Sequence, residues 1–184
     1  IYNMGGGEAP FDSTINRMYV EPPNYNVVVI ESPFQRNKQQ LEAAFGDLNN
    51  YMAMLAMTVK MNEHVLQSSL FKKESARLIS GSSLGGFITN RHHLTYNPAD
   101  IYSPFVAGTR HGDIFLTVMQ QPTTVKRNPQ VLKDLLNFED SWITSQQTHG
   151  NVFPQLSKFD QLNKLELQRP SYGDIPIDVW HGGH

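Results

Sequence analysis

A serine set between closely spaced glycines is the part of this sequence whose residue types and spacing suggest chemistry most directly. Ser83 follows Gly81 by two positions and precedes Gly85 by two, in the pattern Gly-x-Ser-x-Gly. At a turn from a strand into a helix, such glycines leave room where any Cβ would collide with neighbouring backbone, and the serine hydroxyl is pushed out of the sheet. The pattern predicts that Ser83 is a nucleophile for attack on a carbonyl carbon.

Attack on a carbonyl requires hydrogen-bond donors for the negative charge that develops on its oxygen. The amide of Leu84 directly follows the serine and would open a helix, where backbone N–H groups face an anion. A second source of donors is the run Gly5-Gly6-Gly7, since only glycine lets the backbone turn freely and approach a ligand closely. We predict that Leu84 acts together with Gly6 or Gly7.

A serine nucleophile also needs a base, which is usually a neutral histidine held by a carboxylate. The chain has no cysteine, which removes thiol nucleophiles, disulfide bonds and Cys-ligated zinc. Seven histidines are candidates, at positions 64, 92, 93, 111, 149, 181 and 184. The pairs His92-His93 and His111-x-Asp113 hold metal-ligating side chains, but their spacing fits no familiar ligand pattern, so no metal site is predicted.

The elements that position these residues alternate along the chain. The continuous β-branched run at residues 27–30 is typical of a strand buried on both faces of a parallel sheet. Between residues 37 and 64, apolar residues recur at helical spacing and predict one long amphipathic helix. Further strands are predicted at residues 1–3, 76–80, 101–107 and 175–180, and further helical segments at 11–20, 85–96, 129–142 and 156–167.

Alternation of strands and helices indicates βαβ units. We therefore predict an α/β fold with a mostly parallel sheet and helices on both faces. The length of 184 residues fits one domain of ordinary size, covering residues 1–184. Residues 112–167 are more helical and more polar than the rest, which predicts a helical cap inserted into that domain.

Composition excludes several classes of protein. Hydrophobic residues make up 39% and charged residues 17%, as in globular chains. The net charge of -2 and the scattered Lys and Arg give no support for binding nucleic acid or an anionic membrane. Because no stretch approaches the roughly 20 apolar residues that span a bilayer, we expect a soluble protein. The chain begins at Ile1 without a signal peptide, so we expect a trimmed end and leave the compartment open.

These motifs together resemble the α/β-hydrolase superfamily over most of the chain. Residues 4–7, Met-Gly-Gly-Gly, are similar to the oxyanion loop that follows the third strand in esterases and related peptidases, although methionine replaces the commonest histidine. Residues 27–33 resemble the fourth strand, and residues 79–87 resemble the fifth strand with the nucleophile elbow. The resemblance implies an acyl-enzyme on Ser83 and a triad in the chain order serine, acid, histidine.

Two interpretations of the C-terminus follow from this order. In the first, residues 179–184 resemble the seventh strand and its His-Gly-x-x-Asp edge. The acid would then follow His184, and the base would lie in a missing segment or a partner chain. In the second, His184 is the base and an earlier carboxylate such as Asp113 orients it. We favour the first, because the second leaves only one well-formed strand between the helix after Ser83 and the end of the chain.

The resemblance implies a serine hydrolase that cleaves an ester or amide of a small-molecule or peptide substrate, without a cofactor. Two alternatives stay open. The same site could transfer the acyl group to a sugar or another alcohol. The chain could also be a catalytically silent, hydrolase-like subunit with a structural or interaction role.

Overall fold

Six parallel strands form one open sheet in the computed structural model, which describes residues 1–8, 14–15, 25–69, 71, 75–118, 128–145 and 148–184. The strands are β1 (Tyr2–Asn3), β2 (Val29–Ile30), β3 (Leu78–Ser82), β4 (Ile101–Phe105), β5 (Gln155–Ser157) and β6 (Asp178–Trp180). Their order across the sheet is β2-β1-β3-β4-β5-β6. The predicted fold class, an α/β fold with a mostly parallel sheet, is confirmed.

Helices connect most successive strands. Within the described ranges they are α1 (Lys38–Gly46), α2 (Leu48–Leu66), α3 (Leu84–Thr95), α4 (His111–Val118), α5 (Pro129–Leu136), α6 (Glu139–Thr144) and α7 (Leu165–Gln168), which continues into a 3-10 turn (Arg169–Tyr172). The predicted helical segment at residues 11–20 lies outside the described residues except at 14–15. In the part of the chain that is described, no helix has the length and apolar character needed to cross a bilayer.

The predicted helix at residues 37–64 is two helices that meet at Asp47. The Asp47 carboxylate accepts hydrogen bonds from the N–H groups of Asn49 at 2.9 Å and Asn50 at 3.3 Å, which caps the amino end of α2. Gly46 ends α1 directly before it. Periodicity did not predict this break, because the apolar stripe continues from one helix into the next.

The strand order brings two loops together at the carboxyl edge of the sheet. From β1 the chain goes to β2 on one side, returns across β1 to β3, and then proceeds outward through β4, β5 and β6. Such a reversal opens a crevice at the carboxyl ends of the strands. Asn3 pairs in register with Gly81. The glycine run after β1 and the turn after β3 therefore leave the sheet side by side.

Helix α3, which begins directly after Ser83, is buried along most of its length, with nine of its twelve residues inaccessible. Phe87 packs in a core cluster with residues of the sheet such as Tyr102. Leu84 and Ile88 pack in a second cluster with α2, α4 and α5. Since a fully buried apolar side chain of this size contributes about 1.5–3 kcal/mol, this packing holds the start of the helix, and the serine before it, in one place.

The segment 112–167 is not a single insertion outside the sheet. Its last part contains β5, which pairs with β4 on one side and with β6 on the other. The predicted helix at residues 156–167 is wrong for the same reason, since only residues 165–168 are helical there. A strand of three residues is too short to show a period of two, and its pairing with β4 decides its conformation.

Candidate active site

Ser83 has a backbone conformation that side chains rarely adopt. Its φ is 52° and its ψ is -113°, at the junction of β3 and α3. For a residue other than glycine, such a backbone costs on the order of 1–3 kcal/mol and persists only where the surroundings impose it. The Ser83 N–H donates to the carbonyl of Phe105 at 3.0 Å, and the Ser83 carbonyl accepts from the N–H of Phe87 at 3.0 Å. The Ser83 hydroxyl does not cap the helix.

Three glycines around this turn lie where no side chain fits. A Cβ on Gly81 would come within 2.5 Å of the backbone of Gly85, and a Cβ on Gly85 would overlap the carbonyl oxygen of Asn3. A Cβ on Gly86 would lie 2.7 Å from the Cβ of Ala107. The glycines thus let β1, β3 and α3 approach within backbone contact, which is the local geometry that their spacing predicts.

A pocket of about 170 Å³ lies at Ser83. Aromatic side chains from four helices line it, namely Phe45 of α1, Tyr51 of α2, Phe87 of α3 and Phe115 of α4. Its polar lining includes the imidazoles of His111 and His184. The pocket is therefore mainly apolar, and two imidazole rings line it together with Ser83.

His184 is held by the carboxylate of Asp160. The distance from His184 Nδ1 to Asp160 Oδ2 is 2.9 Å. Asp160 follows β5, its side chain is fully buried, and its Oδ1 accepts from the N–H groups of Leu162 and Asn163 at 2.8 Å each. Burial raises the pKa of the Asp160 carboxyl, but the hydrogen bonds from His184 and from the two backbone amides outweigh it and hold that pKa below its usual value.

The loop that carries His184 is tied to the loop that carries Asp160. The Lys158 N–H donates to the Trp180 carbonyl at 2.9 Å, and the Phe159 N–H donates to the Gly182 carbonyl at 3.1 Å. These bonds continue the pairing of β5 with β6 beyond both strands. Because parallel strands end at the same edge, Asp160 and His184 are brought to the edge where Ser83 lies.

Asp113, the carboxylate predicted to orient His184, has other partners. It lies in the first turn of α4, 2.9 Å from Lys133 Nζ, and accepts from Asn137 Nδ2 at 2.8 Å. It lines a separate polar depression rather than the pocket of Ser83. The structure therefore does not bring Asp113 to His184. Asp160 was missed because β5 was not predicted, although its place between Ser83 and His184 in the chain fits the order serine, acid, histidine.

The predicted oxyanion donors are partly brought together. Gly6 and Leu84 both line the pocket of Ser83. Gly7 has a φ of 80° and lies in open space, outside the residues that line the pocket. Of the two glycines proposed as partners of Leu84, Gly6 is the one that the fold places at the serine.

His111 lines the pocket of Ser83, although no pattern in the sequence predicted that it would lie there. Its Nε2 lies 2.6 Å from the Tyr51 hydroxyl, and its ring stacks on Phe87 with centroids 4.2 Å apart and planes 4° from parallel. Burial lowers the pKa of His111 far below its usual range, and the positive charge of Arg91 lowers it further. The fold therefore favours the uncharged imidazole of His111, which braces the first turn of α3 through Phe87.

The histidines considered as metal ligands have protein partners instead. His92 Nδ1 lies 3.2 Å from the Tyr102 hydroxyl, and His93 Nε2 lies 2.8 Å from His149 Nδ1. Among the residues that the structure describes, no group of three or more histidine and carboxylate side chains is arranged to hold a metal ion.

Comparison with known proteins finds solved structures that are similar to this chain, but no similar sequence family. No protein-family model and no curated protein matches the chain. Acetyl xylan esterase 1 from Thermoanaerobacterium sp. matches 100% of this chain and 69% of its own, with a TM-score of 0.66 and 12% identity. The capsule O-acetyltransferase of Neisseria meningitidis serogroup A matches 72% of this chain at 19% identity, with a TM-score of 0.48. This chain spans 58% of the length of that acetyltransferase. The likeness to the esterase shows a shared α/β fold.

Proposed function

We propose that the protein is an acyl-transfer enzyme that cleaves an ester through an acyl-enzyme on Ser83. The observation that carries this proposal is the strained backbone of Ser83, which has a φ of 52° and lines the same pocket as His184. Strain of this kind at a residue with a nucleophilic side chain is a feature of catalytic sites. The glycines at 81, 85 and 86 impose it by bringing β1, β3 and α3 into backbone contact.

His184 is the proposed base and Asp160 its orienting carboxylate. With Nδ1–H directed at Asp160, Nε2 carries a free lone pair and can accept the Ser83 proton as Oγ attacks the carbonyl carbon. The carbonyl π electrons move to oxygen as the new C–O bond forms. When the tetrahedral intermediate collapses, the bond to the alcohol breaks and His184 returns the proton to the leaving oxygen.

The amides of Leu84 and Gly6 are the proposed donors to the oxyanion. Leu84 is the first residue of α3, where backbone N–H groups lack acceptors within the helix. Gly6 approaches the same pocket from the loop after β1. Two such donors stabilise the charge more in the transition state than in the substrate, and each is worth roughly 10²–10³ in rate.

The acyl group in this proposal is short. The pocket of about 170 Å³ is smaller than the several hundred Å³ that drug-sized ligands occupy. Helix α4, from the segment predicted as a cap, lines this pocket with Ile114 and Phe115. The esterase of the same fold acts, by its name, on acetyl groups, and an acetyl ester is the first substrate to try.

The test is labelling with a fluorophosphonate probe, together with hydrolysis of p-nitrophenyl acetate. Ser83→Ala should abolish both signals, because the attacking oxygen is gone. Ser82→Ala, which removes the neighbouring hydroxyl from the end of β3, is the matched control and should retain both. Undiminished labelling of Ser83→Ala would overturn the proposal. Product analysis with an added sugar or alcohol determines whether water or another hydroxyl group receives the acyl group.

A further inference from the structure

We propose that Gln35 is a positioning residue that aims the Gly6 N–H at the oxyanion. This inference rests on the proposed function, since it assigns a role within the same site. Gln35 lies in the loop after β2 and is not among the residues that line the pocket of Ser83. Its link to the site is a side-chain hydrogen bond to the glycine loop after β1.

The side chain of Gln35 has one possible orientation. It is 2% exposed, and its Oε1 accepts from the Ser32 N–H at 2.9 Å. The Gln35 N–H also donates to the Ser32 carbonyl at 3.1 Å, which closes the turn that carries the side chain. With its carbonyl oxygen committed to a backbone donor, the amide nitrogen must face the other way. That nitrogen donates to the Gly5 carbonyl at 3.2 Å.

Holding the Gly5 carbonyl sets the direction of the Gly6 N–H. The two groups belong to one planar peptide unit, and in a trans peptide the C=O and the N–H point in opposite directions. The Gly6 N–H therefore points away from Gln35. Gly6 itself lines the pocket of Ser83 and Leu84, so rotation of this peptide decides whether the site has one oxyanion donor or two.

A second contact fixes the other side of Gly5. The Gly5 N–H donates to Glu8 Oε2 at 2.6 Å, and the Tyr2 hydroxyl donates to the same carboxylate at 3.0 Å. Glycine has no Cβ to restrict its backbone, and a Cβ on Gly5 would lie 2.9 Å from the Ser82 carbonyl oxygen. The fold thus needs glycine for close approach. The Glu8 N–H also donates to the Gly5 carbonyl at 3.4 Å, so Gln35, with the shorter bond at 3.2 Å, shares the restraint of this peptide with the backbone of the turn.

Two variants of Gln35 test the assignment with kinetics on the whole chain. Gln35→Met keeps the length of the side chain and removes both hydrogen bonds. Gln35→Glu keeps the acceptor for Ser32 and, when its carboxyl group is ionised at alkaline pH, lacks the donor to Gly5, so kinetics at alkaline pH remain informative if the methionine variant folds poorly. For p-nitrophenyl acetate we expect kcat to fall about 10- to 100-fold, short of the roughly 10²–10³-fold loss on outright removal of a donor. KM should stay within about twofold, because the oxyanion forms only in the transition state.

A tetrahedral mimic separates positioning from a general loss of structure. Trifluoroacetone forms an anionic adduct with a serine nucleophile, and its inhibition constant should rise in parallel with the fall in kcat. Asn151→Leu is the matched control, because Asn151 Nδ2 donates to the backbone carbonyl of Ala99 at 3.0 Å, near the amino end of β4 and away from the site. This control should lower the melting temperature and leave both kcat and the inhibition constant unchanged.

The outcomes are distinguishable from those of the proposed function. Wild-type kcat and inhibition in both Gln35 variants would overturn the positioning role while leaving ester cleavage intact. Equal losses in the Gln35 variants and in Asn151→Leu would also overturn it. A wild-type protein that neither cleaves the ester nor binds trifluoroacetone would remove the proposed function itself, and the role of Gln35 with it.

Discussion

His184 and Asp160 meet at the carboxyl edge of the sheet, with 2.9 Å between Nδ1 and Oδ2. Each lies in the loop that follows a strand, Asp160 after β5 and His184 after β6. Ser83 follows β3 at the same edge. Four loops of one parallel sheet, including the loop with Gly6 after β1, therefore supply the proposed nucleophile, base, acid and oxyanion donor.

Asp160→Asn should lower kcat by about 10³- to 10⁴-fold with little change in KM. An amide in this position can donate to His184 Nδ1, which favours the wrong tautomer and removes the charge that stabilises the imidazolium. The asparagine oxygen can still accept from the N–H groups of Leu162 and Asn163, so the loop should keep its shape. Steady-state hydrolysis of p-nitrophenyl acetate measures the effect.

The control for Asp160→Asn is Asp113→Asn. Asp113 is also a carboxylate with a hydrogen-bonded side-chain partner, at 2.9 Å from Lys133 Nζ, but it lies outside the pocket of Ser83. Its substitution should leave kcat within a few-fold of wild type. A larger loss for Asp113→Asn than for Asp160→Asn would contradict the assignment of Asp160 and would support the interpretation in which Asp113 orients His184.

Acidification should destabilise the fold through its buried histidines. Burial, with a smaller contribution from a neighbouring imidazole, lowers the pKa of His92 and of His93 to about 4. Between pH 4 and the unfolded value of about 6.5, the unfolded chain binds more protons than the folded one, so stability is full above about pH 6.5 and falls as the pH decreases. The free energy of unfolding should decrease by about 1.4 kcal/mol per pH unit for each such histidine, measured by urea denaturation.

Removing one of these histidines should reduce that slope. His93→Gln can keep a hydrogen bond to its neighbours but takes up no proton, so the slope should fall by about 1.4 kcal/mol per pH unit. Wild type, denatured with urea at the same series of pH values, is the reference. Equal slopes for wild type and His93→Gln would mean that His93 is not held neutral by the fold.

Replacement of Ser83 by glycine should stabilise the protein relative to replacement by alanine. Both variants lack the hydroxyl, but only glycine adopts a φ of 52° without steric cost. Relief of about 2 kcal/mol of strain, the middle of the usual range of roughly 1–3 kcal/mol, less about 0.5–1 kcal/mol for the greater freedom of glycine in the unfolded chain, leaves Ser83→Gly about 1 kcal/mol more stable than Ser83→Ala. Denaturant titration of both inactive variants measures the difference.

The same pair of substitutions at Ser82 should give the opposite sign. Ser82 is the last residue of β3, where extended backbone suits alanine and glycine costs about 0.5–1 kcal/mol. If glycine is no better than alanine at position 83, the backbone there is not strained, and the main support for Ser83 as the proposed nucleophile is lost.

The sequence by itself determined the features that depend on a few consecutive residues. The glycines around Ser83 predicted the turn from strand to helix, because steric exclusion of a Cβ acts over neighbouring positions of the chain. Alternating strand and helix patterns predicted the parallel α/β sheet in the same way. Gly6 and Leu84 were predicted as neighbours of the serine, and both line its pocket.

Only the tertiary structure decided which residues from distant loops reach Ser83. β5 has three residues, too few for a period, so pairing with β4 and β6 made it a strand and carried Asp160 to His184. Gln35 acts on a glycine thirty positions away, and Tyr51 holds a histidine sixty positions away. Contacts of this kind depend on the order and register of strands, which arise from the packing of the whole sheet and leave no local pattern in the chain.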